Sequence, residues 1–306
     1  AQGRYDEAIV EYRRATELDP HLSTAYARWG RILALRQNRD EAVRVARRAV
    51  ELDAESAENQ AILCMTLDWS GQVAEAIAAG LKATRVGPEY ALGYAYLAEA
   101  YGDYGRVGDA YEMAQKAMDL DPSDVFVRRN YGYAHELMGR YREAIGHYQA
   151  ALEINPHLAF LYLDLSRNYR VLGDVDESVA AIEQAVQADP NNPQVHDQLG
   201  YIYLSQGQYQ QALSSLQKAI QLDPEFGAAY GHLGMTYYAL HNYEEAIKKL
   251  EKAVDLGARN EEYLYELGLA YAYLDQCDKA IPWFEQALQV NPASAISKKG
   301  LQDCGR

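Results

Sequence analysis

Cysteine, phenylalanine and long apolar runs are all scarce in this chain. Three of its 306 residues are cysteine and four are phenylalanine. Three thiols are too few for a disulfide framework, so Cys64 and Cys277 are expected as packing residues and Cys304 as an exposed thiol. The charge-free run 198–217 is rich in glutamine and serine, which hydrocarbon would not accept. No signal-peptide pattern is present, and the cytoplasm is the expected compartment unless a leader precedes Ala1. Lysine plus arginine number 29 against 44 aspartate plus glutamate, a net charge of −15. A field of that sign opposes phosphate-rich partners and anionic membranes, so neither nucleic acid nor membrane is expected as a partner.

Chemistry is equally sparse. There is no G-x-x-x-x-G-K-S/T, G-x-G-x-x-G, G-x-S-x-G or H-E-x-x-H, and the seven histidines show no ligand spacing with cysteine or carboxylate. Acidic pairs such as Glu244 and Glu245 lie in helical patterns where nothing marks them as desolvated. No catalytic residue, metal site or cofactor is expected, and the chain is not expected to be an enzyme.

What is present is a period. Pro20, Pro88, Pro122, Pro156, Pro190, Pro224 and Pro292 are separated by multiples of 34, with Ala54 and Ala258 in the two gaps. Numbering each unit 1 to 34 with this proline at 32, position 27 is alanine throughout, from Ala15 to Ala287. Position 20 is alanine except at Ser178, and position 8 is Gly30, Cys64, Ala98, Gly132, Ser166, Gly200, Gly234 and Gly268. Small residues in register at these positions imply two helices crossing closely, where a larger side chain would overpack. Leucine dominates position 7, and positions 4, 11, 17 and 24 carry 15 of the 26 tyrosines at helical spacings. Gly71, Gly105, Gly139, Gly173 and Gly207 at position 15 are placed to end the first helix of a pair. The proline ends the second, because the residue before it is disfavoured in helical geometry.

This pattern of an aromatic, Leu-Gly, Tyr, then Ala, an aromatic or Leu, and Pro resembles the tetratricopeptide repeat along the entire chain. The resemblance implies an all-α fold, a right-handed superhelical solenoid of antiparallel helix pairs. Read in order, 1–22 supplies the second helix of a partial first repeat, 23–294 holds eight complete repeats, and 295–306 forms a C-terminal capping helix, all in one solenoid over 1–306. Units 23–56 and 57–90 lack the aromatic at position 11 (Leu33, Leu67), and unit 159–192 has Ser178 and Ile182 for Ala and an aromatic. The uncovered apolar side of the first helix invites self-association or docking of a preceding domain. Residues 1–50 hold ten arginines against seven acidic residues, and Arg36, Arg39, Arg44, Arg47 and Arg48 form either a solvated face or a contact for an acidic neighbour.

The same resemblance implies that positions 2, 5, 6, 9, 12 and 13 line a concave groove for a partner's extended or helical segment. Position 6 reads Arg28, Ile62, Tyr96, Asn130, Asp164, Gln198, His232 and Glu266. Asn130 and Gln198 there can each satisfy both a donor and an acceptor of a peptide backbone. In mid-chain the face gains Phe126, Arg129, Tyr133, Phe160, Arg167, Arg170 and Tyr201. Phe126 and Phe160 are read either as exposed anchors or as rings packed between units. The arginines are placed to clasp a partner's carboxylate. No three consecutive units supply the family's lysine–asparagine clamp for a chaperone's C-terminal carboxylate. Acidic residues (Glu58, Asp68, Glu99, Asp103) precede this stretch, and Met235, Tyr238, Tyr265 and Tyr273 follow it. The expected function is a non-catalytic scaffold binding a peptide or helix of another protein at Phe126, Arg129, Asn130, Tyr133, Phe160, Asp164, Arg167, Arg170, Gln198 and Tyr201. The alternative is the targeting or regulatory arm of a larger enzyme or regulator.

Overall fold

In a computed structural model, which describes residues 2–305 with side chains from Tyr5 onward, the chain is all-α: eighteen helices and, among the described residues, no strand. Helix α1 (Gln2–Leu18) is followed by pairs that repeat the sequence period. The first members are α2 (Ser23–Leu35), α4 (Ala57–Trp69), α6 (Ala91–Asp103), α8 (Val125–Leu137), α10 (Ala159–Leu172), α12 (Pro193–Ser205), α14 (Gly227–Ala239) and α16 (Glu261–Tyr273). The second members include α9 (Tyr141–Ile154), α11 (Val175–Ala188), α13 (Tyr209–Leu222), α15 (Tyr243–Asp255) and α17 (Cys277–Val290), and α18 (Ala295–Asp303) ends the series. Among the described residues no helix is long and apolar enough to cross a membrane. The chain divides into two compact units, one ending at Ala181 and one beginning at Ile182, within α11.

The small-residue columns account for the pairing. A β-carbon on Gly200 would stand 2.5 Å from Leu216 Cγ, and one on Gly234 would stand 2.6 Å from Leu250 Cγ. The two helices of a pair therefore approach until the side chain at position 24 rests on bare backbone. In unit 159–192 the departure is matched by its partner: Ser166 and Ser178, both buried, face each other with their hydroxyls 2.8 Å apart. Burying two hydroxyls costs little once each has a partner. In the eight complete repeats position 15 is left-handed, at φ between +71° and +84° in the five glycines and at φ 57–62° where Gln37, His241 and Asp275 stand instead.

One expectation is overturned here. Cys277 and Cys304, 27 positions apart in sequence, form a disulfide with Cα atoms 5.3 Å apart. Cys304 is thus not a free thiol, and Cys277 does not simply fill a tyrosine site. The reason is geometric: α18 packs on α16 and α17, which carries the C-terminal end of α18 back to the first residue of α17. Cys64 is free and fully buried at position 8.

Candidate functional site

In the first unit, the face built by α4, α6, α8 and α10 is filled by its own side chains. Phe126 is only 8% exposed; its ring stacks on Phe160 with centroids 6.0 Å apart and meets Tyr96 edge-on at 6.0 Å. Trp69 meets Phe160 edge-on at 6.4 Å. Four consecutive first helices thus each contribute one ring to a continuous row. The rings at position 2 pack between units, so Phe126 is not an exposed anchor, and Phe160 is half-buried against the same cluster. An aromatic pair in this geometry adds to the stability given by the area it buries.

The arginines are likewise engaged. Arg129 pairs with Glu99, reaches Asp164 Oδ2 through Nε at 3.1 Å, and donates to Asn130 Oδ1 at 3.0 Å. Arg167 grips Glu136 in bidentate fashion at 2.7 and 3.1 Å and donates to Asp164 Oδ1 at 2.8 Å. Burial pulls the Arg129 guanidinium down, but Glu99 and Asp164 outweigh it and hold it well above its usual value. Asn130 spends its amide on the Ala95 carbonyl at 2.9 Å, and Tyr133 donates its hydroxyl to Asp103. Arg129, Asn130, Tyr133, Phe160, Asp164 and Arg167 are therefore brought together, as one internally bonded network instead of a set of free donors. Arg170 is exposed at the last turn of α10, while Gln198 and Tyr201 lie half-buried on α12 in the second unit.

Desolvated carboxylates, which no sequence feature marked, are present. Neither oxygen of Asp68 has a hydrogen-bond partner, and the residue is 4% exposed. Burial, then Glu99 and Asp103, push its carboxyl well above the usual range against the pull of Arg129. Among the described residues no group of three or more His, Cys, Asp or Glu is arranged to hold a metal ion.

In the second unit, α12, α14 and α16 leave an open cleft of about 370 Å³. Helix α12 contributes Tyr201, Leu204 and Ser205, α14 contributes Met235, Tyr238 and Ala239, and α16 contributes Glu262 and Glu266. Tyr201 packs on His232, centroids 4.7 Å apart, and His232 Nδ1 lies 2.7 Å from the buried Asp197 carboxylate. Burial, with Glu262 beside it, pushes Glu266 up to about 8, and its Oε2 has no hydrogen-bond partner.

The two faces are counterparts. An offset of three repeats, 3 × 34 = 102 residues, carries Asp164 onto Glu266, Glu136 onto Tyr238, Tyr133 onto Met235 and Phe160 onto Glu262. It carries Arg129 onto Gly231 and Arg167 onto Leu269. The acid at position 6 is kept while both cations that hold it are gone. This was the missed signal: α12, α14 and α16 contain no lysine or arginine at all.

Models of the tetratricopeptide repeat match residues 1–57 and 97–159, residues 135–199 and 203–267, and residues 261–294. No curated protein sequence matches the chain. Among solved structures, the chain is similar to one in the APC/C hetero-tetramer Cut9–Hcn1, with a TM-score of 0.80 at 18% identity over 94% of this chain. It spans 56% of that protein's length. It is also similar to PilF of Pseudomonas aeruginosa, with a TM-score of 0.60 at 18% identity over 70% of this chain and 97% of the other.

Proposed function

Because the chain belongs to the tetratricopeptide repeat family, whose members serve as protein-interaction scaffolds, we propose that it is a non-catalytic scaffold holding a peptide or helical segment of a protein partner on its first-helix surface. The observation that supports this reading best is the open cleft between α12, α14 and α16, whose walls are aromatic and aliphatic with two carboxylates at one side. A few polar groups set in an apolar concavity are what a binding site offers. The candidate contacts divide accordingly. Gln198 and Tyr201 stand on the helix that walls the cleft and Arg170 is exposed, whereas Phe126, Arg129, Asn130 and Asp164 serve the partner only by holding the first-unit face rigid.

The test is selection of peptides from a random display library on the full chain, followed by fluorescence anisotropy on the purified peptides. Ser205 is exposed at the cleft mouth, and Ser205→Trp closes it without touching the core. Selected peptides should bind this variant at least tenfold more weakly. Unchanged affinity would remove the cleft from the site, and a library yielding no binder would remove the scaffold reading. The Cys277–Cys304 bond favours an oxidising compartment over the cytoplasm. Alkylation in denaturant without reductant should modify Cys64 alone; modification of all three cysteines would restore the cytoplasmic expectation.

A further inference from the structure

We infer that the cleft of the second unit receives an arginine side chain of the partner, its guanidinium taking beside Glu266 the place that Arg129 takes beside Asp164. The inference rests on the scaffold reading and deepens it, naming the chemistry the cleft selects.

The internal repeat supplies the argument. In the first unit, the position 6 carboxylate of Asp164 is held by the position 5 guanidinium of the preceding repeat at 3.1 Å and by Arg167 at 2.8 Å. In the second unit the carboxylate remains as Glu266, but position 5 of the preceding repeat is Gly231 and the counterpart of Arg167 is Leu269. A second carboxylate, Glu262, stands where the first unit has Phe160. The chain does not provide the missing cation itself. A β-carbon at Gly231 would fall 2.3 Å from the ring of Tyr263, which is 3% exposed. No lysine or arginine lies on the three helices, and among the described residues neither Glu262 nor Glu266 has an ion pair. Glu266 Oε2 is shielded from water and accepts no hydrogen bond, an arrangement that costs free energy until a donor arrives.

Shape narrows the donor to arginine. The lining that holds the two carboxylates also includes Tyr201 and Tyr238, and a planar guanidinium can stack on an aromatic ring while its edge donates to carboxylate oxygens. An ammonium has no flat face and keeps its hydration more strongly. The volume, about 370 Å³, falls within the range of small-ligand pockets. A guanidinium set between rings and carboxylates is already realised in cis: that of Arg129 lies 5.7 Å from the Phe160 centroid and 5.8 Å from that of Tyr133 while it pairs with carboxylates.

The cleft carries its own reporter. Of the five methionines, Met235 lines the cleft, and Met65, Met113, Met118 and Met138 all belong to the first unit. Full-length protein labelled with carbon-13 at the methionine methyls is titrated with the peptide acetyl-Gly-Gly-Arg-Gly-Gly-amide and with its citrulline counterpart, which keeps the shape and removes the charge. Met235→Leu assigns the signal. The expected result is a saturable shift of Met235 alone with the arginine peptide and at least tenfold weaker binding of the citrulline peptide. Glu266→Gln should weaken arginine binding by a similar factor, about tenfold or more, and Ala239→Arg, which supplies a guanidinium from the cleft wall, should abolish it. The inference is overturned by equal shifts with citrulline, by no shift of Met235, or by an Ala239→Arg variant that binds like the wild type. It also falls if library peptides bind the cleft without arginine and without competition from the probe, an outcome that leaves the scaffold reading standing.

Discussion

The Arg129 network and the Glu266 cleft occupy equivalent places three repeats apart, yet one is closed and the other open. In the first, carboxylates at Glu99, Asp164 and Glu136 face guanidinium groups; Arg129 and its two carboxylates are withdrawn from water, while Arg167 stays partly exposed. In the second, the acid persists without its cation, and a cavity of about 370 Å³ stands beside it. A repeat array thus places the same position in several copies, and the loss of two arginines, one to glycine at 231 and one to leucine at 269, separates a self-satisfied surface from one whose acid has no cation in the chain. Buried ion pairs contribute little net stability on average, but breaking one by removing a single partner is expensive. The two faces should therefore respond oppositely to loss of a charge.

The largest effect is expected at Arg129. Arg129→Ala leaves Glu99 and Asp164, each 6% exposed at the side chain, without their main cation, and should destabilise the first unit by about 3–5 kcal/mol in urea unfolding. A loss below about 1 kcal/mol would place the network among ordinary surface pairs and dissolve the comparison. Arg167→Ala, a binding-site change on the sequence reading, should also destabilise, because Glu136 and Asp164 both depend on it.

The second effect runs the other way and depends on pH. The Glu266 carboxyl titrates near 8 in the folded chain because burial and Glu262 disfavour its charge, whereas its ordinary value is 4.5. The folded state therefore holds a proton that the unfolded state releases. Stability is greatest below the unfolded value and falls as pH rises towards the folded one. Glu266→Gln removes that dependence, so the variant should gain on the wild type by roughly 3–4 kcal/mol between about pH 5 and pH 8. A pH-independent difference between the two would mean that Glu266 is solvated and that the cleft lacks the buried acid from which the arginine inference starts.

Much of this was legible in the sequence, and the part that was not has a definable cause. The 34-residue period, the small-residue columns and the turn glycines follow from side-chain volume and backbone geometry, which act within one unit. The face could be read only as columns, and columns say which charges are present without saying which meet. In the structure, position 5 meets position 6 of the next repeat, as Arg129 meets Asp164 35 residues on. It also meets position 9 of the preceding repeat, as Arg129 meets Glu99 30 residues back. The same two separations recur between Trp69 and Glu99, Tyr133 and Asp103, and His232 and Asp197. Reading along these diagonals shows Arg129 already committed and Glu266 unmatched. The disulfide escaped for a related reason, since α17 and α18 bring together cysteines 27 residues apart that no column aligns.

The smallest effect separates a glycine that shapes the cleft from one that does not. At Gly231 the Tyr263 ring lies where a β-carbon would be, with ring atoms 2.3–2.7 Å away. That ring is buried and its hydroxyl reaches the Ala228 carbonyl at 3.4 Å, so it has little room to retreat. Gly231→Ala should destabilise by about 1–3 kcal/mol through overpacking. Gly146, in the middle of α9, has nothing within 4 Å of the same atom. There the substitution only removes backbone freedom from the unfolded chain, and Gly146→Ala should stabilise by about 0.5–1 kcal/mol. Thermal unfolding of the two variants checks both signs. If Gly231→Ala proves neutral, Tyr263 can move aside, and a side chain at position 5 would be possible in the second unit after all. The glycine would then no longer explain why the chain leaves Glu266 without a cation of its own.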